Sequence, residues 1–276
     1  MSAVSHRPVN RDADASGPYH GKCTMFALGR GREPMVRKVP VMDDKMSIGV
    51  TKNGPYVVSG AVPVVRQTIV TDEKGESVAW QDGEHLPTRP SCTLCRCGAS
   101  DNMPYCDGSH VLAGFDGTET ASHATYEEAA VAIPGPRIVL MDQVDLCADA
   151  RFCAAKGKEW RRVELDDDES CRIVIDESNL CPSGRYTAVE LDGTVHEPEL
   201  VPEIGLVEDP QAGVSGPLWV QGGIPVTAAD GTPYPVRNRV TLCRCGKSSN
   251  KPFCDGAHIE AGFDDGAIRG SETTWW

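Results

Sequence analysis

One stretch of sixteen residues occurs twice in this chain. It reads CRCGASDNMPYCDGSH from Cys95 to His110 and CRCGKSSNKPFCDGAH from Cys243 to His258. Counted from each first cysteine, 15 of 22 positions are identical, including a trailing AGFD. Self-similarity of this kind marks a duplicated structural unit. Each copy has the spacing C-x-C-x8-C-x3-H, giving the donor sets Cys95, Cys97, Cys106, His110 and Cys243, Cys245, Cys254, His258. Three thiols and one imidazole make a complete set of four donors. Such a set takes Zn²⁺ or an iron–sulfur centre, and spacing alone does not choose between them.

The residues inside the motif suit a tight loop followed by a short helix. Ser100 and Pro104, like Ser248 and Pro252, fix a bend. Asp107 and Asp255 are placed to N-cap the helix that presents the histidine, and Gly114 and Gly262 to stop it. Before each motif lies a Gly-Pro turn with apolar strand-like residues: TKNGPYVVSGAVPVV over 51–65, read as two short strands around a tight turn, and SGPLWVQGGIPV over 215–226. A polar loop is expected between 71 and 90.

Both copies resemble the CDGSH, or NEET, family throughout the motif, from C-x-C to C-D-G-S/A-H. That resemblance favours iron and sulfide over zinc. It implies one [2Fe–2S] cluster per copy, with Cys95 and Cys97 on the inner iron and Cys106 and His110 on the outer one. Cys243, Cys245, Cys254 and His258 take the same roles in copy two. Asp107, Asp255, Ser100 and Ser248 support the ligand loops. Proteins of this family usually form a dimer with exchanged strands, so a tandem chain is expected to build the same two-cluster body as a monomeric pseudo-dimer, an intramolecular pseudo-twofold pair.

Four further cysteines lie between the copies. Cys147-x5-Cys153 followed by Cys181-Pro182 resembles the divergent single-cluster ferredoxin domain. It implies a third cluster, [3Fe–4S] or [4Fe–4S], on Cys147, Cys153 and Cys181. A possible fourth ligand is Cys171, against the competing reading of a half-buried small apolar side chain at the start of a helix over 171–180. Cys23 and Cys92 fit no set and read as ordinary thiols. The histidines at 6, 20, 85, 123 and 196 stand alone and read as solvated.

Composition narrows the rest. Gly and Pro supply 48 of 276 residues, above the usual roughly 12%, which favours short strands and loops. The net charge of -13 and the lack of a basic run exclude a nucleic-acid role. No apolar run reaches the ~18 residues of a membrane span, and the polar start of the sequence has no signal-peptide character, so a cytoplasmic chain with reduced cysteines is expected. The expected fold class is α+β and loop-rich: an N-terminal segment (1–46), a first CDGSH module (47–118), a linker (119–136), a ferredoxin-like domain (137–206) and a second CDGSH module (207–276). No motif for substrate chemistry is present. Single-electron transfer with a reductase or acceptor as redox partner is the expected function. Cluster transfer or redox/pH sensing, and a non-catalytic relay subunit of a larger redox complex, are the alternatives.

Overall fold

The computed structural model describes residues 46–270. Cys23, His6, His20, nearly all of the N-terminal segment, Trp275 and Trp276 lie outside the described residues. The chain is mixed α+β, with three small sheets and mostly short helices. In order come β1 (Ser47–Val50), β2 (Tyr56–Ser59), β3 (Val64–Thr71), β4 (Ser77–His85), β5 (Ser91–Leu94) and α1 (Ser109–Leu112). Then follow α2 (Tyr126–Ala129), β6 (Val131–Pro134), β7 (Ile138–Asp142), α3 (Glu159–Arg162), α4 (Asp168–Leu180), β8 (Tyr186–Glu190) and β9 (Val195–His196). The last elements are β10 (Glu203–Asp209), β11 (Val214–Gln221), β12 (Val226–Thr227), β13 (Arg239–Leu242), α5 (Ala257–Glu260) and α6 (Ala267–Gly270).

The duplication is visible bond by bond. In the first repeat β2 pairs antiparallel with β5, Tyr56 opposite Leu94. In the second, β11 pairs with β13, Leu218 opposite Leu242. Bridges Leu94–Tyr105 and Leu242–Phe253 repeat the same relation. On the other edge of each pair sits an added strand, β1 on β2 and β10 on β11. Each added strand then receives a parallel strand from the other repeat. β12 joins β1 with Val226 opposite Ile48, and β3 joins β10 with Val64 opposite Ile204. The sheet orders are therefore β12-β1-β2-β5 and β13-β11-β10-β3-β4. Side chains of both repeats share one core, including Ile48, Tyr56, Leu94, Ile204, Leu218 and Leu242. Neither half could bury these residues alone.

Three expectations need correction. The turn at Gly54-Pro55 joins β1 to β2, whereas β2 and β3 belong to different sheets. The left-handed Gly60 and Ala61 redirect the chain between them, and Pro63 has no N–H to donate. The polar stretch 71–90 contains the nine-residue strand β4, hairpinned on β3 around Gly75. Trp80 anchors it, stacking within 4.7 Å of Trp219 and 4.9 Å of Phe152, with its Nε1–H donating to the Leu180 carbonyl. The stretch expected as a linker holds α2 and the edge strand β6 of the third sheet, β6-β7-β8-β9.

That third sheet and α4 form the middle region around Ile138, Leu140, Val174, Ile175 and Tyr186. The helix expected over 171–180 begins at Asp168. Asp167 caps it by accepting from the Ser170 N–H, and Pro182 follows its end. His123 is exposed as expected but does not stand alone, stacking on Tyr234 at 4.2 Å, and half-buried His196 meets Glu190 through Nε2 at 3.0 Å. No helix among the described residues is long and apolar enough to cross a membrane.

Candidate iron–sulfur sites

The strand that ends at Leu94 delivers Cys95, and the one that ends at Leu242 delivers Cys243. The returning loops are clamped identically. Cys95 N–H donates to Pro104 O and Cys243 N–H to Pro252 O, both at 2.8 Å. Cys106 N–H donates to Thr93 O and Cys254 N–H to Thr241 O. Ser100 Oγ donates to Tyr105 O and Ser248 Oγ to Phe253 O, each at 2.6 Å, while accepting from the backbone N–H of Asn102 or Asn250.

The aspartates act one residue away from the expected place. The residue at the start of each short helix is Gly108 or Gly256, in the left-handed region. Asp107 instead accepts from the N–H of Ser109 and Asp101, and Asp255 from Ala257 and Ser249. From one residue before the cap position Asp107 still takes the N–H of the first helical residue, Ser109, and ties back the loop at Asp101. The hydrogen bonds from Ser109 and Asp101 hold the Asp107 carboxyl at about 2. At the far end Gly114 and Gly262 turn left-handed as expected.

The donors fall into pairs. Sulfurs of Cys95 and Cys97 lie 3.6 Å apart, and Cys106 Sγ lies 3.4 Å from His110 Nδ1. The second copy gives 3.7 Å for Cys243–Cys245 and 3.5 Å for Cys254 Sγ–His258 Nδ1. These are near the ~3.8 Å edge that a tetrahedral ion with ~2.3 Å bonds to sulfur requires. Each site thus offers one Cys–Cys pair and one Cys–His pair, a donor set that fits a zinc ion or an iron–sulfur centre.

Copies one and two differ in surroundings. Cys95 is buried while Cys97, Cys106 and His110 are half-exposed; Cys243, Cys245, Cys254 and His258 are all buried. Burial pushes the Cys97 thiol up to about 11 and also raises the Cys254 thiol well above its ordinary value. Burial, with the Arg244 guanidinium next, lowers His258 to about 4. The two motifs meet back to back. A Cβ on Gly98 would lie 2.5 Å from Cys245 O, and one on Gly246 would lie 2.4 Å from Cys97 O. Met103 of the first motif packs on Cys243 and Cys245. Tyr56 donates to Cys243 O and Pro252 O.

Arg96 and Arg244, between the paired cysteines, were missed as functional residues although both repeats carry them. Each is 1% exposed. Arg96 donates to Thr51 O and Gly117 O between the rings of Tyr56 and Phe115. Arg244 donates to Val207 O and Gly216 O and pairs with Glu208 and Asp265. A buried cation beside a thiolate set offsets the charge that the thiolates bring. Their repetition inside TLCRCG was the available signal.

In the middle region Cys147, Cys153 and Cys181 line one small cavity of about 20 Å³. It adjoins a larger cleft of about 530 Å³ beside Trp160, Arg185 and Tyr186. Burial, then Cys181 and Cys147 among its charged neighbours, pushes Cys153 up to about 12. Arg185, gripped by Asp142, lines the same cavity as Cys147. Asp149 and Ala150 line the same cavity. Cys171 does not: it is 2% exposed against Val174 and Ile175, and it is held in a disulfide, against the expectation that every cysteine stays reduced. Cys92 sits on β5 opposite Val58, outside the donor pairs.

The trio's loop packs on the second site. A Cβ on Gly256 would lie 3.2 Å from Asp149 Cβ and 3.6 Å from Cys147 O. Asn250 donates to Asp145 O, Arg151 pairs with Asp209, and Arg239 on β13 donates to the carbonyls of Ser178, Asn179 and Cys181.

The family model described as iron-binding zinc finger, CDGSH type, matches residues 53–111 and again residues 215–259. No curated protein and no solved structure was found to match the chain. The matched regions carry the paired Cys–Cys and Cys–His donors, so each repeat is similar to the iron-binding CDGSH type over that stretch.

Proposed function

We propose that the chain transfers single electrons through three iron–sulfur clusters: a [2Fe–2S] cluster at each CDGSH motif and a [3Fe–4S] or [4Fe–4S] cluster on Cys147, Cys153 and Cys181. In this reading the repeats are an intramolecular pseudo-twofold pair and the middle region is a ferredoxin-like domain. The pair is supported by the reciprocal strand exchange, β3 onto β10 and β12 onto β1. The observation that carries the function is contact between successive donor sets. Cys97 and Cys245 meet through Gly246 and Gly98, and Cys147 meets the Cys254 loop at Gly256. When bound, such clusters accept and release one electron at a time. The chain's own residues do the rest. Arg96, Arg244 and Arg185 place cations beside the thiolates, the shared core holds the two motifs at a fixed separation, and Met103 with Phe263 keeps water from the inner cysteines of the second site.

A second reading, release or sensing of a labile cluster, is favoured at the first site alone, where His110 is half-exposed. Iron, sulfide and zinc analysis with EPR of anaerobically purified protein tests the proposal. About seven irons and eight sulfides per chain are expected with a [3Fe–4S] third cluster, or about eight of each with a [4Fe–4S] one. Stoichiometric zinc without sulfide would overturn it.

A further inference from the structure

The repeats diverge sharply at the tip of the helix that carries the last donor. After His110 come Val111 and Leu112, 72% and 94% exposed. No atom lies within 4 Å of where a Cβ on Gly108 would be, so nothing among the described residues covers this side of the first site. After His258 come Ile259, half-buried, and Glu260, and the trio's loop closes over Gly256. An apolar pair beside a cluster ligand, turned to solvent in one copy and replaced in the other by a half-buried residue and a carboxylate, is not explained by packing. Exposed Asp107 lies just before this helix and accepts from the N–H of Ser109 and of exposed Asp101, on a chain of net charge -13. An apolar pair beside exposed carboxylates is complementary to a basic protein with an exposed redox centre.

Resting on the electron-transfer reading above, we propose that the α1 tip is the docking face for a basic one-electron redox protein, with electrons crossing at the first site. The second site, enclosed on both sides, is the internal link between the first site and the cysteine trio. A cluster held by Cys95, Cys97, Cys106 and His110 would supply the single electron that reduces the partner's ferric centre to ferrous, itself being oxidised by one electron, with no proton or group transferred.

The test uses the full-length, cluster-loaded chain, reduced and freed of reductant, with cluster content checked by visible absorbance. It is mixed in a stopped-flow instrument with ferricytochrome c as the basic protein oxidant, and separately with ferricyanide as a small one. Leu112→Lys is expected to slow cytochrome c reduction by about tenfold while leaving ferricyanide unslowed. Glu260→Lys, at the matching position of copy two, is expected to change cytochrome c reduction by less than about twofold. A Leu112→Lys rate equal to wild type, or slowing only by Glu260→Lys, overturns the docking face. So does concentration-dependent self-association that Leu112→Lys abolishes, which would make the tip an interface between copies. A wild type that carries its clusters yet reduces neither oxidant defeats the electron-transfer reading itself, which is a different result from a fast wild type matched by a fast variant.

Discussion

The two CDGSH motifs share 15 of 22 residues and the same hydrogen-bonded clamp, yet one faces solvent and the other is closed in. The difference comes from a few positions around the motif. Position 91 is an exposed serine, and its counterpart Arg239 grips the end of α4 and the Cys181 loop. Position 117 is a glycine whose carbonyl accepts from Arg96; its counterpart Asp265 gives Arg244 a carboxylate. The motif therefore fixes how donors are spaced, while its neighbours decide how wet, how charged and how reachable the site is.

The largest break in this comparison is expected at the buried arginines. Arg244→Leu leaves Glu208 and Asp265 buried without their main cation, although Arg66 still touches both. A loss of about 3–5 kcal/mol follows from breaking such a pair. Arg96→Leu removes hydrogen bonds to two carbonyls and contact with two rings, for about 1–3 kcal/mol. Denaturant unfolding of the loaded proteins measures both. Equal losses would mean that the carboxylates around Arg244 make no difference to the second site.

Acid should separate the sites next. The ligating imidazole is neutral, and protons compete with iron for it. Burial, aided by Arg244, holds His258 near 4 instead of 6.5, so it stays neutral as the solution passes through the range where an ordinary imidazole charges. His110 is half-exposed. Visible absorbance should fall in two phases, the more exposed first site leaving at higher pH than the second. His110→Cys should remove the early phase, and His258→Cys should change little above pH 5 or so. The sign for the apo chain is separate. A lowered histidine pKa means that the unfolded state takes up the proton first, so apo stability drops as pH falls from about 6.5 towards 4. A single phase of bleaching, or early loss in the His110→Cys protein, would defeat the comparison.

Much of this was readable from the sequence because the key signals are local. The donors, the Ser and Pro of the loop, and the terminating glycines Gly114 and Gly262 act within a few residues of the motif. So does the end of α4 at Pro182. The exchange of β3 and β12 between repeats was legible only through resemblance, since parallel pairing of Val64 with Ile204 leaves no local pattern. Strand β4 was hidden for the opposite reason. Its outer face is polar, and only Trp80 carries the apolar contact that makes it a strand. Arg96 and Arg244 escaped because an arginine inside a metal-ligand loop reads as surface until burial is known. The closure of the second site by Asp149 depends on a contact between residues 149 and 256, which no window of sequence contains.

That contact supports the finest prediction. Gly108 and Gly256 occupy matching left-handed positions, φ 93° and 86°. Alanine at either costs about 1–2 kcal/mol for backbone conformation alone. At Gly108 the new methyl meets open space. At Gly256 it would sit 3.2 Å from Asp149 Cβ, so the 147–151 loop must give way. Gly256→Ala should therefore cost about 1 kcal/mol more than Gly108→Ala in denaturant unfolding. If the proposed cluster is held by the cysteine trio, the same change should also alter its EPR spectrum, because the loop that shifts carries Cys147. Gly108→Ala should leave that spectrum as in the wild type. Equal costs with unchanged spectra would show that the middle region lies beside the second site without holding it, and the difference in burial between the two motifs would then need another cause.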